Sequence, residues 1–283
     1  MSGFSICTIV KNRAGHLRHL VEGLERQSVA PAELIVVDMG STPPVAVTAK
    51  GFPVRVLRLD MPGLPLARAR NLAAHSAGSE RLLFLDVDCI PAAGLIAAMG
   101  RSLDEADALI SADVRYLPPD AVGPDWREDD LLARSVRHPA RHFPDHGLRG
   151  EENYGLFWSL AFAVHRHRFD AVGGFDARFT GYGAEDTDFA FRMRDAGVPL
   201  FMAGGAGAFH QYHPICSPPL QHFRDIIANA RRFHEKWGVL PMTGWLNAFA
   251  ERGLIALGDD AIEVKRPPTQ AEVDAARVET SFV

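Results

Sequence analysis

Strand and helix signals alternate through the first hundred residues, and this alternation limits the fold more than any other feature. FSICTIV (4–10) is an unbroken apolar run of buried-strand length. AGHLRHLVEGLERQS follows, with Leu17, Leu20, Val21 and Leu24 at i, i+3, i+4 and i+7, the stripe of an amphipathic helix. ELIVVD (33–38) is a second β-branched run, and VRVLRLD (54–60) alternates with period two. PLARARNLAAHSAG (65–78) reads as a helix with Pro65 near its start and Gly78 at its end, and RLLFLD brings the next strand. The pattern predicts an α/β fold, a mostly parallel central sheet flanked by helices on both faces. Such sheets take ligands at the carboxyl ends of their strands, where Asp38 and Asp86 stand.

From about 115 to 157 the pattern breaks. YLPPDAVGPDWREDD and RHPARHFPDHGLRGEENYG are rich in proline and polar residues, as functional loops are. Trp126, Phe143, Tyr154, Phe157 and Trp158 punctuate them, first as anchors to the core and second as sugar-stacking faces. Regular signals return with SLAFAVHR (159–166), a strand, and EDTDFAFRMRDAG (185–197), a helix stopped by Gly197. PLFMA and GAFH read as two short strands, and PPLQHFRDIIANARRFHEKWG (218–238) as one long helix. In GWLNAFAERGLIALG, Trp245, Leu246, Phe249 and Leu254 lie near helical spacing. Docking of that face on the domain is expected, because its polar side is not basic; peripheral association with the inner face of a membrane is the alternative. The charged stretch 259–283, with Pro267 and Pro268, is expected to trail over the surface.

Composition removes several functions. The net charge is −5 and the arginines are scattered among acids, so no basic field invites nucleic acid. Cys7, Cys89 and Cys216 show no C-x-x-C spacing and read as the reduced thiols of a cytoplasmic protein. MSGFSICTIVK lacks the basic start and cleavage site of a secretory signal, and no apolar run nears the ~18 residues that span a bilayer. KNRAGH holds one glycine, too few for the phosphate loop of a sugar nucleotidyltransferase, and no G-x-G-x-x-G marks a dinucleotide-binding dehydrogenase.

Two acidic clusters carry the chemistry. On an extended chain Asp86 and Asp88 share a face about 6–7 Å apart, with Val87 turned into packing. Converging carboxylates repel unless a cation joins them; a hard divalent ion meets that need and can also hold a diphosphate. A solvated strand end, where aspartate is common, is the plain alternative. In GGFDARFTGYGAEDTDFAFRMRDAG, Gly181 and Gly183 flank Tyr182 and let the backbone turn tightly against a ligand. Glu185, Asp186 and Asp188 then open a helix, where acids cap free N–H groups. Asp188, four residues before Arg192, reads as an ordinary helix pair. Capping does not require Glu185 and Asp186 side by side, and one of them can serve as general base toward an attacking hydroxyl. His138, His142 and His146 are spaced by four, but Pro139 and Pro144 break the helix a zinc site there needs. His165 and His167 are expected near a strand end without a metal role.

In this order the stretches resemble the family 2 glycosyltransferases of the GT-A fold, over residues 4–237. CTIVKNRAGHLRHLVEGLERQ is similar to the family's opening strand and helix, and ELIVVDMGST to its VVDxGS element. GLPLARARNLAAHSAGSERLLFLDVDCIP resembles its ARNxG…FLDxDd signature, with Met39 and Cys89 standing where many members carry an acid. GGFDARFTGYGAEDTDFAFR matches the galactosyltransferase-related C-terminal region almost position for position. The resemblance implies a donor site at Thr8, Val10, Asn12, Arg13, Asp38, Arg70, Asn71, Asp86, Val87 and Asp88, with Asp38 on the nucleotide base and Arg70 against a phosphate or a carboxylate of the pocket. It implies an acceptor site at Trp158, Gly181, Tyr182, Gly183 and Glu185, with Asp186 as base and Glu185 beside it. It also implies a Mn2+ or Mg2+ ion on Asp88 and His210, with Asp86 nearby; His213 lies close enough to His210 in AFHQYHP to be mistaken for the ligand. The implied reaction is an inverting transfer from a UDP-hexose or UDP-N-acetylhexosamine to a hydroxyl of a saccharide or glycoconjugate. Residues 1–115 form the expected donor half, 116–240 the acceptor and catalytic half of the same domain, and 241–283 a C-terminal helix and tail. A non-catalytic carbohydrate-binding relative would lack these acids, and all are present.

Overall fold

The structure, a computed structural model, describes residues 3–258 and 261–279. The first half is built from β1 (Phe4–Val10), α1 (Ala14–Glu25), β2 (Glu33–Asp38), β3 (Val54–Arg58), α2 (Leu66–Ser76) and β4 (Arg81–Leu85). β1 pairs in parallel with both β2 and β4, and β2 in parallel with β3. Every residue of β1 is buried, because helices cover both faces and its alternate side chains enter two different cores. Ile6 joins Leu17, Leu20 and Leu24 of α1 on one face. Cys7 joins Ala69 and Ala73 of α2 on the other.

Next come β5 (Cys89–Pro91), α3 (Leu95–Glu105) and β6 (Leu109–Tyr116). The proline-rich excursion then carries α4 (Glu128–Arg134), β7 (Val136–Arg137) and β8 (Leu148–Gly150) before the chain returns as β9 (Ala161–His165), α5 (Arg166–Ala171), α6 (Glu185–Asp195) and β10 (Leu200–His210). The strand order is β3-β2-β1-β4-β9-β6-β10-β5. The sheet is parallel on the β1 side and mixed beyond it, since β9 lies antiparallel between β4 and β6. A phenylalanine cluster fastens the second half to the first: Phe84 stacks on Phe162 at 4.5 Å and Phe175 on Phe189 at 4.4 Å.

Several segments depart from the sequence reading. PLFMA and GAFH belong to the one strand β10, whose pairing with β6 shifts between Ala203 and Ala208. Glycines mark the bulge because backbone crowds it: a Cβ on Gly207 would stand 1.9 Å from the Asp113 carbonyl oxygen. Beyond β4 the chain does not stay extended. The Cys89 N–H donates to the Asp86 carbonyl at 2.9 Å, so Asp86 to Cys89 form a tight turn and the two aspartates leave the strand in different directions.

The C-terminal region comprises β11 (Ile215–Cys216), α7 (Phe223–Trp237), α8 (Thr243–Glu251), β12 (Ile255–Leu257), β13 (Ile262–Val264), α9 (Gln270–Ala275) and β14 (Arg277–Val278). A 3-10 turn at Leu220–His222 precedes α7, so the long helix starts later than its pattern suggests. Leu246, Phe249 and Leu254 pack on Phe223, Ile226 and Ala230 of α7. The apolar face that a membrane would need is therefore consumed by the protein. Residues 261–279 do not trail. β14 pairs antiparallel with β11, and Thr269 and Glu272 close a capping box on α9. Residues 259, 260 and 280–283 lie outside the described residues. Among those described, no helix is long and apolar enough to cross a membrane.

Candidate active site

The sheet register brings the first acidic cluster together. Cys89 of β5 pairs with His210 of β10, and the Gln211 N–H donates to the Asp88 carbonyl at 2.6 Å. Asp88 and His210 are thereby placed side by side, each nine-tenths buried or more. Asp88 Oδ1 lies 3.5 Å from His210 Nε2, and Asp88 Oδ2 lies 3.5 Å from His213 Nε2. Potential ligand atoms of Asp88, His210 and His213 all fall within 4.8 Å of one another, the one group of this kind among the described residues that could hold a metal ion. Asp86, expected nearby, faces Arg70 instead.

Burial and charge suit this group to a cation. Burial drives His210 down to about 4 even though Asp88 opposes it, so at neutral pH it is a neutral imidazole with a free lone pair. Burial works against the Asp88 carboxylate as well, but His210, His213 and Arg13 hold it far below the usual range. Of those three, Arg13 is the permanent cation, with Nη1 2.5 Å from Asp88 Oδ2. Asp88 Oδ1 and His210 Nδ1 are buried without a hydrogen bond. A buried carboxylate oxygen and a buried imidazole nitrogen left unpaired are costly, and a divalent ion with mixed oxygen and nitrogen ligands satisfies such a set.

Arg70 of α2 joins this cluster to the second one. Its Nη2 donates to Asp86 at 3.0 Å and its Nη1 to Glu185, at the start of α6, at 2.9 Å. Asp86, Glu185 and Asp186 keep Arg70 charged although burial opposes it. Burial and the neighbouring Asp186 push Glu185 up to about 7, against the pull of Arg70. Burial raises Asp186 too, opposed by Arg70 and by the N–H groups of Thr187 and Ser159. The two acids differ in commitment. Glu185 is locked into the ion pair with its side chain 7% exposed, whereas Asp186 is half-buried and bonded chiefly to backbone.

The glycine turn before α6 is dictated by backbone conformation and close neighbours. Gly181 and Gly183 have φ of +74° and +99°. A Cβ on Gly181 would stand 2.2 Å from Asp225 Cγ, and one on Gly183 2.7 Å from Met242 Sδ. Asn229 of α7 ties the turn down by donating to the carbonyls of Thr180 and Gly183, both at 2.9 Å. Tyr182 is thus held between rings, 4.4 Å from His222 and 5.8 Å from Trp245. Asp188 is fully buried and fixed by Arg192, Lys236 and Trp237, a structural anchor rather than the surface pair its spacing suggests.

Other expected donor residues take different stations. Asp38 accepts from the N–H groups of Ser41 and Val45 and from Arg58, which hold it low despite burial; its carboxylate is taken up by the loop after β2 and by Arg58 at the end of β3. Asn12 stitches that loop to the end of β1, donating its N–H to Ser41 Oγ and accepting from Thr42. The Asn71 amide is spent on both backbone groups of Phe175. Val10 and Val87 are buried in the core, so at most their backbone faces a ligand. Thr8 Oγ1 is buried without a hydrogen bond. Trp158 stands edge-on to His138 at 4.7 Å. Sequence reasoning passed over His16, whose ring meets His213 at 6.4 Å, and Arg141, which lies under Trp158. His16 ends KNRAGH and Arg141 lies in RHPARHFPDH, but no spacing there singles either out, so only the packed structure reveals them.

Residues 5–177 match the family described as Glycosyl transferase family 2, and the chain belongs to that family. Its fold is the GT-A architecture of its structural neighbours. The chain is 26% identical over 269 residues to validoxylamine A glucosyltransferase of Streptomyces hygroscopicus subsp. limoneus, covering 86% of this chain and 58% of that protein. The same enzyme of S. hygroscopicus subsp. jinggangensis strain 5008 is also 26% identical, with 63% of its length covered. The chain thus spans roughly three fifths of these relatives. Among solved structures, GalNAc-T7 with UDP, GalNAc and Mn2+ aligns with a TM-score of 0.56 at 17% identity, over 75% of this chain and 44% of that one. Residues 1–349 of S. aureus TarS in complex with UDP align with a TM-score of 0.53 at 15% identity, over 89% and 71%.

Proposed function

We propose that the protein is an inverting, metal-dependent glycosyltransferase that moves a sugar from a UDP-hexose or UDP-N-acetylhexosamine to a hydroxyl of a saccharide or glycoconjugate. The observation that carries this reading is the grouping of Asp88, His210 and His213, with Arg70 bridging Asp86, two residues from Asp88, to Glu185, the neighbour of Asp186. Neighbours of the same fold have been crystallised with UDP and, in one case, Mn2+.

Asp88, His210 and His213 would hold the divalent ion, and Mn2+ or Mg2+ there would neutralise charge on a diphosphate leaving group. Arg13, which now neutralises Asp88, is long enough to turn to the diphosphate once Asp88 is otherwise engaged. Arg70 fixes the distance between donor and acceptor sides by holding one carboxylate from each. Asp186 takes the proton from the acceptor hydroxyl. That oxygen forms its bond to the anomeric carbon as the bond to the diphosphate oxygen breaks on the opposite face, which inverts the centre and releases UDP. Glu185, immobilised by Arg70, orients a sugar hydroxyl. Asp186 is favoured over Glu185 as base because Glu185 would have to surrender its ion pair to accept a proton at the right place.

A thermal-shift screen of nucleotide sugars with and without manganese tests the reading. A UDP-sugar is expected to raise the melting temperature only with the metal, since binding to the folded form stabilises it. Stabilisation by UDP-sugars that is indifferent to manganese and to chelator would overturn metal dependence.

A further inference from the structure

Arg141 lies between β7 and β8, is 3% exposed, and has Nε, Nη1 and Nη2 all buried without a hydrogen bond. What surrounds it is aromatic. The guanidinium lies 5.0 Å from the ring centre of Phe143 and 5.0 Å from that of Trp158. Aromatic faces attract a cation but offer nothing to five N–H donors. Asp113 and Asp186 lie within electrostatic reach, but neither is hydrogen-bonded to it. A guanidinium kept from water with its N–H donors unpaired is costly to hold in a core. Arg70, equally deep, is by contrast fully paired with Asp86 and Glu185.

The surroundings of Arg141 are those of the acceptor side. Trp158 immediately precedes Ser159, whose N–H bonds to the proposed base Asp186. Asp186 itself lies within electrostatic reach of the guanidinium. Arg141 comes from the excursion after β6, not from the ends of β1, β2 and β4 that carry the expected nucleotide residues. An anion delivered to it would sit next to the base rather than on the uridine side.

We propose that Arg141 recognises an anionic group, a carboxylate or a phosphate, on the acceptor, and so confines the enzyme to acidic acceptors. The inference rests on the acceptor-side role given to Asp186 above. Both groups present paired oxygens that match the guanidinium fork, and the ligand supplies the hydrogen-bond acceptors that the guanidinium lacks in the free protein. The three nitrogens are shielded in the free protein, so the anion reaches them after a local rearrangement beside Phe143 and Trp158. The carboxylate would come from a uronic acid and the phosphate from a sugar phosphate.

The test is equilibrium binding of methyl β-glucuronide, glucose 6-phosphate and uncharged methyl β-glucoside to the full chain, with and without UDP and Mn2+. At least one charged saccharide is expected to bind tenfold or more tightly than the glucoside, and the one preferred names the source of the anion. Arg141→Met is expected to erase that preference, Arg141→Lys to retain part of it, and both to keep UDP–Mn2+ affinity within twofold. Arg141→Met is also expected to melt no lower than wild type, since it removes an unpaired buried charge; a lower melting point assigns the residue to structure alone. The inference is overturned if wild type shows no preference for charge, if Arg141→Met keeps that preference, or if Arg141→Met loses UDP affinity tenfold. Failure of wild type to bind UDP with Mn2+ strikes the donor reading instead, because the charged-against-neutral comparison is also made without nucleotide.

Discussion

At the residue scale, the site depends on carboxylates set to different tasks by their surroundings. Asp88 lies among cationic and imidazole groups and stays ionised, while burial raises Glu185 and Asp186. Asp186→Asn should preserve UDP affinity but lower turnover about a hundred- to ten-thousand-fold, the range for losing a general base; turnover within tenfold of wild type would place the base elsewhere. A base must be deprotonated to act, and burial raises the Asp186 carboxyl from its ordinary value. The rate should therefore fall with falling pH along a limb displaced upward from the usual aspartate value, and a limb at that value, near ~4, would contradict the assignment. From FLDVD alone Asp86 and Asp88 read either as a cation site or as a solvated strand end, and Glu185 and Asp186 either as helix caps or as a candidate base; the family resemblance favoured the functional reading of each. That Asp86 would be spent on Arg70 was not legible, because the turn after Leu85 depends on a hydrogen bond from Cys89 to Asp86 that periodicity does not encode.

At the element scale, the geometry of the site is fixed by two ties. One is Arg70, carried by α2 and holding α6 to the turn after β4. Arg70→Met leaves a buried carboxylate without its partner and should cost about 3 kcal/mol or more. The sign of its pH dependence follows from Glu185, whose folded value of about 7 lies above the ordinary 4.5. The folded state prefers the neutral form, so ionisation removes stability as pH rises from 4.5 through 7. Without Arg70 that loss grows, and urea midpoints should separate wild type from variant more at pH 8 than at pH 5. The second tie is the glycine turn under α7. Gly181→Ala combines a left-handed backbone with a Cβ driven into Asp225, and the backbone alone costs on the order of 1–3 kcal/mol. Urea denaturation checks it, and an unchanged midpoint would mean the turn tolerates a side chain. The glycines were readable as turn formers, but the distant contacts from Asp225, Met242 and Asn229 were not, since they come from helices some fifty residues away.

At the scale of the whole molecule, the first half was read closely: β1 and β2 fall where their apolar runs do, because parallel strands buried on both faces are written as continuous β-branched sequence. The second half was harder. β9 enters antiparallel between β4 and β6, and β10 runs through two glycines that look like a break. The C-terminal 261–279 looked like a tail because its short strands find their partners outside it, β13 on β12 and β14 on β11. Truncation after Gly253 should remove the burial of Leu254, Ile255 and Ile262, worth roughly 1.5–3 kcal/mol each. A lower melting temperature is expected, and an unchanged one would show that this strap is dispensable.

The claim beneath all of this is that Asp88, His210 and His213 bind the cation that carries the donor's diphosphate. Anomalous diffraction at the manganese edge, from crystals grown with UDP and Mn2+, tests it most directly. A single peak within bonding distance of Asp88 and His210, with the diphosphate against it, is the predicted result. UDP bound with no peak there, or a peak held by other residues, would contradict it.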